Sequence, residues 1–283
     1  GGTKVGDATV RQVLALPGLR DLDLAETRIT APAAAALAHL ATLESVDLSA
    51  TRIDDGAAAA LLALPALTML RLDDTAVGDR ALAGVSPPAL RELYLARTKV
   101  TDDGLALLDR TPALVALGLR RDDVGAATVA RIARLTALTT LDLGETPLPP
   151  DALVALAPLT ALTRLYVDRT RSSDAVIAAV AKARLTTLHA AGTDVSDLSL
   201  PALAAMPLEE LTVGETKLSA AIVGRLGAWP RLRSLSLLGL DVDDAAAAGL
   251  AAAPRLQVLD LGGTAVASTA PLVQDWAARR TGS

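Results

Sequence analysis

The segment LRDLDLAETRI at residues 19–29 recurs along the chain with its leucines at the same positions. Ten further segments align with it without an insertion, and each follows L-x-x-L-x-L-x-x-T-x-[IVL] with few departures. The eleven segments begin at Leu19, Leu43, Leu67, Leu90, Leu114, Leu138, Leu162, Leu185, Leu208, Leu232 and Leu256. Because the period is 23 or 24 residues throughout, the chain of 283 residues is predicted to be a repeat solenoid rather than two conventional domains.

Each repeat contains a strand pattern followed by a helix pattern. The first part alternates apolar and polar residues, which is typical of a short strand, and an Ala/Leu-rich stretch with helical spacing follows. Leu105 and Leu108, for example, share one face of such a helix. Polar residues predict the helix starts, at Thr30, Asp54, Thr101, Ser172, Ser196, Ser219, Asp243 and Ser268. One such unit cannot bury its own apolar face, so stacking of neighbours has to form the core.

The composition fits a thin core of leucine against alanine. The chain is 51% hydrophobic, yet it contains no Phe, two Tyr and two Trp. We expect residues 1–18 to form a partial repeat that caps the start, with one helix over Asp7–Leu16. Repeats should occupy residues 19–266, and residues 267–283 should form a capping helix and tail. In that last segment Leu272, Val273 and Trp276 form an apolar stripe, and Trp229 is expected to pack as well.

Several classes of protein are excluded by what the sequence lacks. Without Cys there is no disulfide scaffold and no Cys-based zinc site, and without Asn there is no N-glycosylation. A net charge of −5 argues against nucleic acid as a partner. The longest uncharged apolar run, residues 57–70, is too short for a bilayer, which needs about 20 residues. No signal peptide is visible, which favours the cytoplasm, with a secreted effector as the alternative.

The repeat resembles that of the leucine-rich repeat family, and the resemblance covers roughly Leu14–Trp276. The segments 53–61 and 100–108 are similar to the helical, GALA- or F-box-type repeats of bacterial and eukaryotic proteins. The resemblance implies an α/β leucine-rich repeat solenoid, a horseshoe with a parallel concave β-sheet and convex α-helices. It also implies a binding scaffold, and we expect the chain to be a monomer.

The sequence departs from that family at the turn after the strand, where Thr replaces the usual Asn or Cys. Thr stands there in nine repeats, at Thr27, Thr51, Thr75, Thr98, Thr146, Thr170, Thr193, Thr216 and Thr264. A small hydroxyl side chain at this point can satisfy backbone groups that the turning strand leaves unpaired. Asp122 can do the same in the fifth repeat, whereas Leu240 in the tenth cannot.

The standard catalytic and nucleotide-binding motifs are absent, and no cofactor or metal is predicted. Five Asp-Asp pairs begin at Asp54, Asp73, Asp102, Asp122 and Asp243. None has the spacing of a calcium loop, and three begin helices, where carboxylates cap backbone amides. The two histidines, His39 and His189, fall on different surfaces. The chain is therefore predicted not to be an enzyme.

The candidate binding site lies on the predicted concave face. If the leucines point inward, the third, fifth and seventh positions of each repeat face outward. Both tyrosines of the chain occupy the fifth position, and arginines cluster in the same middle repeats. Tyr and Arg supply binding hot spots when they are exposed together. We therefore predict a contact surface for another protein, formed by Tyr94, Arg97, Arg120, Arg121, Arg164, Tyr166, Arg169 and His189.

Other interpretations remain open at this point. The first repeats of this face are acidic and the last are small and neutral, and any solvated strand surface carries polar residues. Contact elsewhere on the solenoid is one alternative. A carbohydrate- or cell-wall-binding module is another, although it would favour more exposed aromatic residues. A hydrolase using Asp142 or Asp168 with His189 is less favoured, because it would need a closed pocket.

Overall fold

A computed structural model describes residues 5–267 of the chain. The chain divides into two compact units, residues 1–161 and residues 162–283. The cap position Ser268 and the predicted C-terminal helix with Leu272, Val273 and Trp276 lie outside the described residues. Each unit is a series of the same strand–turn–helix repeat.

The first unit contains six parallel strands that follow one another in chain order. They are β1 (Asp21–Asp23), β2 (Ser45–Asp47), β3 (Met69–Arg71), β4 (Glu92–Tyr94), β5 (Ala116–Gly118) and β6 (Thr140–Asp142). Equivalent positions pair directly, as Leu22 with Val46 and Leu70 with Leu93. Because the register never slips, each position of the repeat forms a straight column across the strands.

The helices of the first unit begin after each strand has turned. They are α1 (Asp7–Val13), α2 (Ala31–Ala36), α3 (Asp55–Leu62), α4 (Asp79–Leu82) and α5 (Ala126–Ile132), with 3₁₀ helices at Leu37–His39, Gly104–Arg110 and Ala152–Leu156. Helix α1 lies within the predicted Asp7–Leu16, and its Val10 is buried. The sixth repeat forms only a 3₁₀ helix, after Pro149 and Pro150, which have no N–H to donate, and after Asp151 with a φ of 56°.

The second unit repeats this arrangement with five strands in chain order. They are β7 (Arg164–Tyr166), β8 (Thr187–His189), β9 (Glu210–Thr212), β10 (Ser234–Ser236) and β11 (Val258–Asp260). Its helices are α6 (Asp174–Ala179), α7 (Leu200–Ala205), α8 (Ala220–Leu226) and α9 (Asp244–Ala248), with 3₁₀ helices at Val180–Lys182, Asp197–Ser199 and Gly249–Ala252.

The core of each unit lies between strands and helices and consists of the consensus leucines. Leu43, Val46 and Leu48 are fully buried, and the helices contribute small residues such as Ala34 and Ala58. Small alanines let the helix backbone approach the sheet, which explains a core without phenylalanine. No helix within residues 5–267 has the length and apolar character needed to cross a bilayer.

The turn after each strand is closed by the consensus threonine, as the sequence predicted. In eight repeats its hydroxyl donates to the carbonyl three residues earlier, at 2.5–2.7 Å. The residue before the consensus position adopts a left-handed backbone in all eleven repeats, and in eight of them it is not glycine. Leu240 lacks a hydroxyl but keeps the backbone bond of the turn, from its N–H to the Leu237 carbonyl.

The turns of the fourth and fifth repeats form one linked exception. The Thr98 hydroxyl donates to Asp122 Oδ1 at 3.1 Å, and the Thr98 amide donates to the same oxygen at 2.8 Å. Asp122 is 1% exposed, and its Oδ2 has no hydrogen-bond partner. A carboxyl therefore replaces a hydroxyl at a buried position of this turn.

Aspartates at the helix starts bind the neighbouring repeat. Asp54 caps its own helix by accepting from the Ala57 amide, whereas Asp55 accepts from the Gly78 amide of the next repeat. Bonds to the next repeat are made by Asp7, Asp55, Asp79, Asp102, Asp174, Asp197 and Asp244. We call the segments between each strand and the following helix the turn edge. Its acidic residues link one repeat to the next.

Not all predicted helix caps are in place. Asp54, Ser196 and Asp243 accept from helix amides as predicted. In the seventh repeat Ser173 is the cap, and Ser172 instead lies buried against the Thr170 hydroxyl. Three further predicted caps, Thr30, Thr101 and Ser219, donate their hydroxyls to the aspartate of the preceding repeat. Thr30 and Ser219 make no cap bond to their own helices, and in the fourth repeat Asp103 takes the cap position in place of Thr101.

Candidate interaction surface

The solvent-facing surface of the strands is formed by the third and fifth positions of each repeat, and we call it the open face. The residue between these positions is buried in most strands, as at Leu93 and Leu165. The fifth column holds, in the first unit, Asp23, Asp47, Arg71, Tyr94, Gly118 and Asp142. In the second unit it holds Tyr166, His189, Thr212, Ser236 and Asp260.

In the first unit one tyrosine lies against an arginine, and we call Arg71, Glu92 and Tyr94 the Tyr94 cluster. The Arg71 guanidinium carbon lies 3.9 Å from the Tyr94 ring centroid, within cation–π distance. The Tyr94 hydroxyl donates to Glu92 Oε2 at 2.9 Å. A Cβ at Gly118 would come within 2.9 Å of Tyr94 Cδ1. Glycine in the next strand therefore gives the ring room to lie across the sheet.

In the second unit we call Arg164, Tyr166, His189 and Glu210 the Tyr166 cluster. The Tyr166 and His189 rings meet edge to face, with centroids 4.8 Å apart and planes 72° from parallel. His189 Nε2 lies 3.0 Å from Glu210 Oε1. The His189 side chain is 25% exposed and that of Glu210 43% exposed. Tyr166 and His189, both part of the predicted contact surface, therefore lie side by side on paired strands.

Three of the predicted arginines lie in turns rather than on strands. Arg97, Arg121 and Arg169 each occupy the left-handed position before the consensus position, with φ of 51–62°. Each forms an ion pair on the turn edge: Arg97 with Asp74, Arg121 with Glu145 at 2.5 Å, and Arg169 with Glu215 at 3.8 Å. They lie beside the Tyr clusters and not among them.

Arg120 is held by two carboxylates. Its guanidinium lies 3.1 Å from Asp142 Oδ2 and 3.0 Å from Glu145 Oε1, and its side chain is 23% exposed. The guanidinium extends across Gly144, where any Cβ would overlap it. Arg120 therefore links the fifth and sixth repeats. Binding of a partner by Arg120 or by the three turn arginines stays a prediction.

Four fifth-column aspartates and Asp73 of the turn edge have structural roles that sequence reasoning missed. Asp23, Asp47, Asp142 and Asp260 each accept a hydrogen bond from the amide two residues later, at 2.9–3.0 Å. Asp73 accepts the Ala96 amide of the next repeat at 2.7 Å. Burial raises the pKa of Asp73; the Ala96 amide and Arg71 oppose that shift, and the charges of Asp47 and Asp74 add to it.

Three polar residues of the two clusters were absent from the predicted site. Arg71 was visible in the fifth column between acidic and aromatic residues. Glu92 and Glu210 occupy the third column, so reading the fifth column alone could not find them. The alternation of the strand is the signal that would have added them, because third and fifth positions share one face.

The residues considered for a hydrolase also have structural contacts. His189 faces Glu210, while Asp168 Oδ1 accepts the Ala191 amide at 3.2 Å. Asp142 binds Arg120. Within residues 5–267 no group of three or more His, Asp or Glu residues is placed to hold a metal ion.

Comparison with known proteins identifies the fold. No family model and no curated protein matches the sequence. Among solved structures the chain is similar to an internalin (inlF) from Listeria monocytogenes str. 4b F2365, with a TM-score of 0.65 and 20% identity. The match covers 97% of this chain and 82% of the internalin. The predicted leucine-rich repeat fold, with parallel strands and helices alternating along the described residues, is thereby confirmed.

Proposed function

Starting from the leucine-rich repeat fold, we propose that the chain is a non-enzymatic scaffold that binds another protein on its open face. The observation that carries this proposal is the Tyr166 cluster. Its aromatic rings and charged groups lie half-exposed on adjacent strands, outside the leucine core. Tyr and Arg are the residue types enriched at binding hot spots.

The cluster differs from the consensus threonines and from aspartates such as Asp47 in what its side chains bind. Those threonines and aspartates bind backbone groups, so a structural role accounts for them. Tyr166, His189 and Glu210 contact one another by their side chains. Because the two rings are already packed against each other, less side-chain entropy is lost when a partner binds.

The test replaces Arg164, Tyr166 and His189 together by alanine. A partner is first captured from the source cell by immobilised wild-type chain, and its affinity is then measured by calorimetry. We expect the triple variant to lose roughly a hundredfold or more in affinity, since hot-spot side chains each contribute about 2 kcal/mol. Its unfolding midpoint should remain close to that of the wild type.

A matched control replaces Thr212, Ser234 and Ser236 by alanine; these half-buried residues lie on β9 and β10 of the same face. This control should retain affinity. If the Tyr166-cluster variant and the wild type bind equally, the partner does not bind through the open face of the second unit.

A further inference from the structure

A second surface in the second unit lies away from the open face, at the segments that lead from each helix to the next strand. We call these segments the return edge. A groove of about 260 Å³ opens there between the ninth and tenth repeats. It is lined by Met206, Pro207, Leu208, Trp229, Pro230 and Arg231. Trp229, which we expected to serve packing alone, is only half-buried and forms one wall.

The return edge of the second unit is basic although the chain as a whole carries a net charge of −5. Six exposed cations lie on it or in the last turn of the helix before it, at Lys182, Arg184, Arg225, Arg231, Arg233 and Arg255. Glu209 is the single acidic residue in these return segments, and it pairs with Arg233 at 3.5 Å. Cations at helix C-termini interact favourably with the helix dipole, but four of these six lie beyond the helix ends.

Parallel backbone bonds bring these segments side by side. The Glu209 amide donates to the Thr186 carbonyl, the Arg233 amide to the Glu209 carbonyl and the Gln257 amide to the Arg233 carbonyl, at 2.7–2.8 Å. Residues just before each repeat therefore form a column with a spacing of about 4.8 Å. This column contains Arg184, Pro207, Arg231 and Arg255. The apolar groove lies within it, with arginines on both sides.

We propose that this groove binds an acidic segment of a partner protein that carries one bulky apolar side chain. The apolar side chain would fill the space beside Trp229 and Met206, and the flanking carboxylates would pair with Arg184, Arg231 and Arg255. Charge complementarity identifies the occupant, because a cationic edge with one paired carboxylate attracts an anionic chain. The proposal is independent of the open face.

The probe is a short synthetic peptide of aspartate and glutamate around one central phenylalanine. The protein is the full chain with Trp276→Phe, in which Trp229 is the sole tryptophan. We expect saturable binding with a blue shift of Trp229 emission, and weaker binding as salt screens the charges. Arg231→Glu, and more so the triple Arg184→Glu/Arg231→Glu/Arg255→Glu, should weaken affinity roughly tenfold or more. A peptide with alanine for phenylalanine should bind more weakly, and a lysine peptide should not bind.

The matched control is Arg91→Glu, which reverses an exposed arginine just before β4 in the first unit. It should leave affinity unchanged, and so should the Tyr166-cluster variant, so failure here and failure of the proposed function are distinguishable. Equal loss in Arg91→Glu, or binding without a change in Trp229 emission, would overturn the assignment. RNA or anionic vesicles binding at these arginines in place of the peptide would overturn it too. Self-association that Arg231→Glu abolishes would identify a second copy as the occupant and overturn the proposal.

Discussion

The turn edge and the return edge carry charge in different ways. On the turn edge, carboxylates accept backbone amides of their own or the next repeat, as Asp54 and Asp55 do. On the return edge of the second unit, exposed arginines such as Arg231 and Arg255 border a groove. Carboxylates of the turn edge therefore link the repeats, and the exposed arginines of the return edge are the ones that we propose for a partner. Three stability measurements test this difference.

The largest effect is expected at Asp122, because burial raises its pKa to about 7. Asp73 adds to the shift, while the Thr98 amide and hydroxyl oppose it. The folded state then keeps a proton that the unfolded chain releases near its ordinary pKa of 3.8. This stabilisation is complete in acid and is lost as the pH rises through 7, by roughly 4 kcal/mol at most.

Urea unfolding between about pH 5 and about pH 8 measures this dependence. Asp122→Thr should flatten the profile and raise the stability at the alkaline end, since threonine would restore the hydroxyl of the other turns. Asp123→Thr changes the exposed neighbour and should keep the wild-type profile. A flat profile in the wild type would show that the Asp122 carboxyl is ionised in the fold without cost.

A smaller loss is expected at Asp102, which accepts the Gly125 amide and both the amide and the hydroxyl of Thr128. Asp102→Ala should lower the free energy of unfolding by about 2–3 kcal/mol, because it removes the charged carboxylate that accepts these hydrogen bonds. Denaturant titration gives the value. The adjacent, exposed Asp103→Ala should fall within about 0.5 kcal/mol of the wild type. Equal values for the two variants would contradict the role assigned to the turn edge.

The smallest change is expected on the return edge. Arg231→Ala and Arg255→Ala remove exposed side chains, so unfolding should shift by no more than about 0.5 kcal/mol. Thermal unfolding followed by circular dichroism is sufficient. A loss as large as that of Asp102→Ala would mean that these arginines stabilise the stack, and the contrast between the edges would disappear.

The leucine period was sufficient to predict the strands, their order and their register, because leucines at a fixed spacing can all be buried in only one register. It was sufficient for the juxtaposition of Tyr166 and His189 as well, since equivalent positions of successive repeats pair. The ion pairs of the arginines could not be predicted from the sequence. Arg97 and Arg120 are similar in sequence to free surface residues, and their acidic partners lie in other repeats.

The aspartate pairs show the same limit. Their sequence suggested caps, and Asp54 and Asp243 are caps. That Asp55 and Asp244, the second residues of those two pairs, bond to the next repeat depends on how closely repeats stack, which a one-repeat motif does not contain. The helical spacing of Leu105 and Leu108 likewise did not indicate that the helix of the fourth repeat is a 3₁₀ helix.

The glycines that lie beneath long side chains have a consequence for how such an array can change. Tyr94 needs Gly118, and Arg120 needs Gly144, each one repeat further along the chain. A deletion, duplication or exchange of single repeats would separate such a side chain from its glycine and place a Cβ in its path. We therefore expect repeats to be exchangeable without a clash only at boundaries that no long side chain crosses.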